Sequence, residues 1–200
     1  MKKLGFNIVL LGMIASGKDT QAAILKKKYP LQLVETGTYT RKLLKEKSEN
    51  GEWARRTAGK GKPLPTVLLQ KFLIKEIKNK SKGKDLLLLG GRLKPEAQLF
   101  KKIMYTNKEK ILVFYISLPD KEVIKRSTAR QRNTDDTIYI KKRIKWHKDQ
   151  VWKTVKYYQK LGLMKIINGN QTIPKVTEDI LKAIEEYKTN PRNLALETRT

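Results

Sequence analysis

The chain has no cysteine and a single histidine. The first absence excludes disulfides and any thiolate-bound zinc, so folding needs no oxidising compartment. No segment approaches the ~18 consecutive apolar residues that a membrane-spanning helix requires, and no membrane partner is expected. Met1-Lys2-Lys3-Leu4 leads almost at once into an apolar run and lacks a signal-peptide cleavage pattern, which predicts a cytoplasmic protein. Acidic residues are scarce too: 19 Asp and Glu stand against 45 Lys and Arg, a formal charge of +26. Such a field attracts polyanions, whether nucleotides, RNA or acidic lipids. The lysines are dispersed, however, across Lys26 to Lys28, Lys75 to Lys84, Lys101 to Lys110 and Lys141 to Lys160. Solvated helix faces account for that spread, and weak non-specific polyanion binding is the expectation.

What is present is a rhythm. Unbroken apolar runs at 6–11, 31–34, 85–89, 111–117 and 163–167 read as strands covered on both faces. Helical patterns at 18–28, 37–48, 65–79, 95–104, 120–130, 138–160 and 173–187 lie between them. Pro119-Asp120 and Thr172-Ile173-Pro174 mark helix starts, and Gly162 stops the longest helix. Alternation of this kind predicts an α/β fold, a doubly wound parallel sheet that binds ligands at the carboxyl ends of its strands. Two stretches break it. Residues 37–79 hold consecutive helices without a strand, and Gln131-Arg132-Asn133-Thr134-Asp135-Asp136-Thr137 is a polar loop between helices. The 200 residues suit one domain, expected as a monomer, and the end from Thr189 reads as a frayed tail.

Gly12-Met13-Ile14-Ala15-Ser16-Gly17-Lys18-Asp19-Thr20 follows directly on the first apolar run. A buried strand, a glycine-bounded turn and a lysine-bearing helix form the layout of a phosphate-binding loop, in which backbone N–H groups wrap an anion at a helix N-terminus. Lys18 would reach the β- and γ-phosphates, and the Thr20 hydroxyl could help hold them. The strict pattern has Ser or Thr after the lysine; here Asp19 stands there. It either approaches a cation or faces away as a helix-start acid favoured by the macrodipole.

Further segments continue in order: Glu35-Thr36-Gly37-Thr38-Tyr39-Thr40-Arg41, then Gly61-Lys62-Pro63-Leu64-Pro65, then Gly90-Gly91-Arg92 followed by Pro95-Glu96-Ala97-Gln98. Arg126 and Arg130 fall on one helix face, Arg132 and Arg143 bracket the polar loop, and Ile167-Asn168-Gly169-Asn170 follows the last strand. Together these resemble the adenylate kinase family of nucleoside monophosphate kinases in its short-lid form, over about residues 6–187. The resemblance implies a P-loop three-layer αβα fold with a five-stranded parallel sheet. It implies a kinase domain over 1–188, with a helical monophosphate-binding insert at 36–66, a short lid at 131–137 and a tail at 189–200. It also implies reversible transfer of the ATP γ-phosphoryl to a monophosphate, AMP foremost, with Mg²⁺ carried by the bound ATP.

By the same resemblance, Gly12, Ala15, Ser16, Gly17, Lys18, Asp19 and Thr20 hold ATP with Arg126, Arg130 and Asn170. AMP falls to Thr36, Gly37, Arg41, Leu64, Gly90, Arg92, Glu96, Arg132 and Arg143. The catalytic set is Lys18, Arg92, Arg126, Arg130, Arg132 and Arg143. The chemistry suits such a set, because phosphoryl transfer asks for positioning and positive charge, and arginine forks grip phosphate bidentately.

Four departures from the family pattern matter. Leu89 stands where an aspartate orders the magnesium waters, and Asp19 replaces a glycine, so Asp19 is the candidate metal contact. Ala15 replaces the loop's middle glycine, with Ile14 in place of its proline. A positive φ at Ala15 would cost ~1–2 kcal/mol. Glu96 stands where a glutamine reads the adenine of AMP. Its carboxylate accepts but cannot donate unless protonated. His147 is expected in packing or at the surface, and Trp146, Trp152, Tyr157 and Tyr158 in core or lid packing. Asp135 and Asp136 are expected to pair with lid arginines.

Overall fold

The computed structural model describes residues 2–60, 64–90, 92–130 and 137–190. Its sheet contains β1 (Asn7–Gly12), β2 (Leu31–Glu35), β3 (Asp85–Leu89), β4 (Ile111–Ser117) and β5 (Met164–Asn168). The strands run in the order β2-β3-β1-β4-β5, all parallel, with Val9 beside Leu88 and Val113. Alternate residues of β1 serve opposite layers. Ile8 and Leu10 pack with Ala22 and Leu25 of α1 (Lys18–Lys28) and Ile180 and Ile184 of α9 (Ile173–Thr189). Val9 and Leu11 pack with Leu73 of α4 (Thr66–Lys78), Phe100 of α5 (Lys94–Thr106) and Tyr158 of α8 (Trp152–Lys160). The inner strands β1, β3 and β4 are covered on both faces and are mainly apolar for the expected reason, whereas the edge strands β2 and β5 are partly exposed. The three-layer arrangement therefore agrees with the sequence reading.

The stretch 37–79 holds one helix more than the pattern suggested. α2 (Thr36–Lys45) stops where the backbone turns extended at Glu46, and α3 (Glu49–Thr57) starts anew, its Ser48 Oγ accepting the Gly51 N–H at 3.1 Å. An ideal Cβ on Gly51 would lie 2.1 Å from the Glu46 carbonyl oxygen, so only glycine lets the two helices meet this closely. A 3₁₀ turn (Ala58–Lys60) follows, and Leu43, Ala54, Leu64, Leu68 and Leu69 close a small core of their own.

After α6 (Asp120–Ala129), the helix expected over 138–160 is instead three joined pieces: α7 (Thr137–Trp146), a π-helical turn (His147–Val151) and α8. Of the expected lid, only Thr137 is described, as the first residue of α7, and the tail beyond Asn190 also lies outside the described residues.

Candidate active site

At the carboxyl end of the sheet β1 empties into the loop before α1. A Cβ on Gly12 would come within 2.6 Å of Ser16 Oγ and 2.9 Å of the Ile116 carbonyl, so the loop can fold back only over a glycine. Gly17 takes φ 88° as α1 begins. Ala15, the expected point of strain, does adopt φ 59°. The Ser16 hydroxyl oxygen is buried with no partner among the described residues, and the Ser16 N–H donates to Met13 O at 3.3 Å.

Five cations and two carboxylates line the cleft above this loop. They are Lys18, Arg41, Arg92, Arg130 and Arg143 against Asp19 and Glu35, in a cavity of about 570 Å³ that also touches Gly12, Ala15, Thr36, Gly37, Leu89 and Gly90. The topology explains the convergence. Glu35 and Leu89 are register neighbours at the ends of β2 and β3, on the strand positions nearest the loop. Gly90 then turns the chain against Thr36, where a Cβ would sit 2.2 Å from the threonine Oγ1.

Arg92 is the most constrained of the cations. Its guanidinium lies 5.4 Å from the Trp146 ring centre, and its carbonyl accepts the Thr154 hydroxyl at 2.6 Å. Burial, and then the charge of Arg143, lower its pKa, while Glu96 raises it. Lys18 is likewise lowered, first by burial; Asp19, 3.5 Å away, opposes this, and Arg92 and Arg143 add to it. Arg41 is oriented through its neighbours. Its Nη2 donates to Thr38 Oγ1 at 2.7 Å, and that hydroxyl donates to Glu35 Oε2 at 2.8 Å.

Other expected residues lie off the cleft. Arg126 donates to Glu122 at 2.7 Å and to the Gly169 carbonyl at 3.1 Å, tying α6 to the turn after β5. Thr20 and Asn170 are exposed, and Leu64 is buried in the small core of the insert. Glu96 is turned inside, with Oε2 accepting the Leu93 N–H at 3.5 Å and Oε1 unpartnered among the described residues. Burial pushes its pKa up to about 7. Arg132, Gly61 to Pro63 and Gly91 lie outside the described residues.

The role of one side chain escaped the sequence reading. Glu35 opens the segment that ends at Arg41 but was given no function there, and its place beside Leu89 at the strand ends puts it in the cleft. His147, expected in packing or at the surface, is packed inside at 5% exposure, and its place against the cleft had no sequence signal beyond its being the lone histidine.

A metal ion has few protein donors here. Among the described residues no three Asp, Glu, His or Cys side chains cluster, and the Leu89 side chain offers no oxygen. Asp19, with 63% of its side chain exposed on the cleft wall, fits a hydrated ion held chiefly by nucleotide phosphates, the usual habit of Mg²⁺, and not a protein-caged one.

Comparison with known proteins agrees with this geometry. The family model described as adenylate kinase matches residues 10–163. Among curated relatives, the adenylate kinase of Azobacteroides pseudotrichonymphae is 28% identical over 185 residues, covering 90% of this chain and 97% of its own. That of Methanothrix thermoacetophila is 28% identical over 215 residues, covering 91% and 100%. That of Prochlorococcus marinus is 29% identical over 180 residues, covering 90% and 97%. No described helix is long and apolar enough to cross a membrane.

Proposed function

We propose, since this chain belongs to the adenylate kinase family, how its cleft divides the labour of phosphoryl transfer. The chain is a phosphotransferase of the nucleoside monophosphate kinase type, moving the γ-phosphoryl of ATP reversibly to AMP and giving two ADP. In our reading Gly12, Ala15, Ser16, Gly17 and Lys18 wrap the ATP phosphates, with backbone amides and one ammonium at the start of α1. Arg41, aligned by Thr38 and Glu35, takes the AMP phosphate beside Thr36, Gly37 and Gly90. Arg92 and Arg143 lie between the two nucleotides with Arg130, and neutralise charge on the migrating group.

Arg126 acts at one remove, by holding the Gly169 turn against the loop; Asn170 and Thr20 flank the ATP side, and Leu64 backs the insert 36–66. Arg132, outside the described residues, is assigned to the phosphates by the resemblance alone. Mg²⁺ carried by ATP would supply positive charge to the phosphates, and Asp19 is the carboxylate that would help hold it. Glu96 is assigned to fixing the turn after Arg92, which leaves the AMP base without the glutamine reader expected there.

The observation that carries this reading is the meeting of five cations with only two carboxylates over one glycine-bounded loop. The test is ADP formation from ATP with AMP, GMP, CMP and UMP in turn. Turnover led by AMP supports it; measurable ATP binding with no turnover on any acceptor overturns it.

A further inference from the structure

His147 has no role in the scheme above, yet it sits against the cleft. It opens the π-helical turn between α7 and α8, a kind of irregularity found frequently at functional sites. With Gly12, Lys18, Arg92, Arg143 and Trp146 it lines a cavity of about 40 Å³ adjoining the phosphate loop. No carboxylate lines that cavity. On its other side Nε2 lies 3.1 Å from the Tyr115 hydroxyl of β4, its one side-chain hydrogen bond among the described residues.

The charges facing the imidazole are therefore of one sign. Lys18 comes from α1, Arg92 from the turn after β3 and Arg143 from α7. Tyr115 is neutral, its pKa pushed up to about 12 by burial and then by Asp120 at the start of α6. Asp120 is itself engaged by Lys148 at 2.5 Å. Burial first, then Arg92, Lys18 and Arg143, lower the His147 pKa to about 4.

Those same three cations are the ones a nucleotide's phosphates would neutralise. We propose that His147 is a further member of the phosphate wall: neutral while the cavity holds no anion, and protonated in mildly acidic solution when phosphate oxygens occupy it, so that nucleotide binding there takes up a proton. Tyr115 is a positioning residue in this scheme, holding one ring nitrogen so that the other is left for the ligand. The inference rests on the proposed ATP site. A negative charge ~5 Å from the ring raises its protonation midpoint by about one to two pH units.

The lone histidine gives an unobscured signal. The full chain is titrated by NMR of the imidazole with and without ATP in metal-free buffer, and again with inorganic pyrophosphate. The empty protein is expected to keep a neutral ring to pH 5, and ATP to raise the midpoint by at least about one unit. A midpoint near 6.5 without ligand, or one unmoved by ATP that demonstrably binds, overturns the proposal while leaving the kinase reading intact. Failure of ATP to bind overturns both.

Calorimetry on His147→Gln gives an independent readout. The terminal phosphate of ATP titrates near neutrality as well, so the difference between parent and variant is what counts. The parent is expected to bind ATP about two- to tenfold tighter than the variant at pH 5 and with nearly equal affinity at pH 8. A pH-independent ratio contradicts proton uptake by His147 and leaves it a packing residue.

Discussion

Glu96 keeps its carboxyl group inside the protein at 2% exposure, where desolvation penalises the charged form. Its pKa rises from 4.5 to about 7. The native protein thus holds a proton that the unfolded chain has released, and stability falls as pH rises through that window. Fully developed, the effect is about 3 kcal/mol. His147 works the opposite way, costing stability as pH falls from 6.5 towards 4. Glu96→Gln is therefore compared with its parent by denaturant unfolding at pH 5 and 7.5. The variant is expected to gain on the parent at the higher pH, and a constant difference contradicts a protonated native Glu96. Arg92→Ala belongs to this scale too. Losing a transition-state donor is expected to lower kcat by about 10²–10³, whereas Arg41→Ala chiefly raises KM for AMP; steady-state kinetics separates the two. The arginines were readable because their spacing and company form motifs. Glu96 was named by its family position and His147 as the lone histidine, but neither signal gave its contacts, since the start of α5 and a π turn decide what each side chain meets.

At the scale of elements, the strands were the most legible. Ile8, Val9, Leu10 and Leu11 must be apolar in succession because helices cover both faces, and their boundaries moved by a single residue. α3 was illegible for an equally physical reason. Asn50 and Gly51 are poor helix formers, and the helix exists because Ser48 caps it and Gly51 admits the Glu46 carbonyl. Gly51→Ala is accordingly expected to cost at least about 1–3 kcal/mol of overpacking despite its better helix propensity. Because the damage falls in the insert, KM for AMP should rise several-fold while ATP affinity holds. Unchanged stability would show that the corner yields easily. The π turn was equally hidden, since a change from 3.6-residue periodicity over His147–Val151 leaves little trace in the apolar pattern.

Across the whole molecule, charge is distributed by topology. α1, α4, α8 and α9 each carry lysine in the last turn, complementing their macrodipoles. Parallel strands put those helix ends on the side of the sheet away from the loop, while Lys18 and four arginines gather at the cleft. Lys26 to Lys28, Lys75, Lys78, Lys160 and Lys188 thus have a structural explanation in the helix ends, whereas α5 has no basic residue in its last turn. A chain of formal charge +26 nevertheless repels itself when compact. Thermal unfolding is expected to move up by several degrees between about 10 and 200 mM salt, as the Debye length shrinks from about 30 Å to below 10 Å. A falling midpoint would mean that attractive surface pairs outweigh repulsion.

The most direct measurement starts from ADP alone. If the cleft holds two nucleotides with the migrating phosphoryl between them and water shut out, phosphorus NMR will show ATP and AMP appearing in equal amounts, with Mg²⁺ supplied. AMP with inorganic phosphate would reveal hydrolysis instead of transfer. ADP left unchanged by a chain that binds it would contradict the account at its centre.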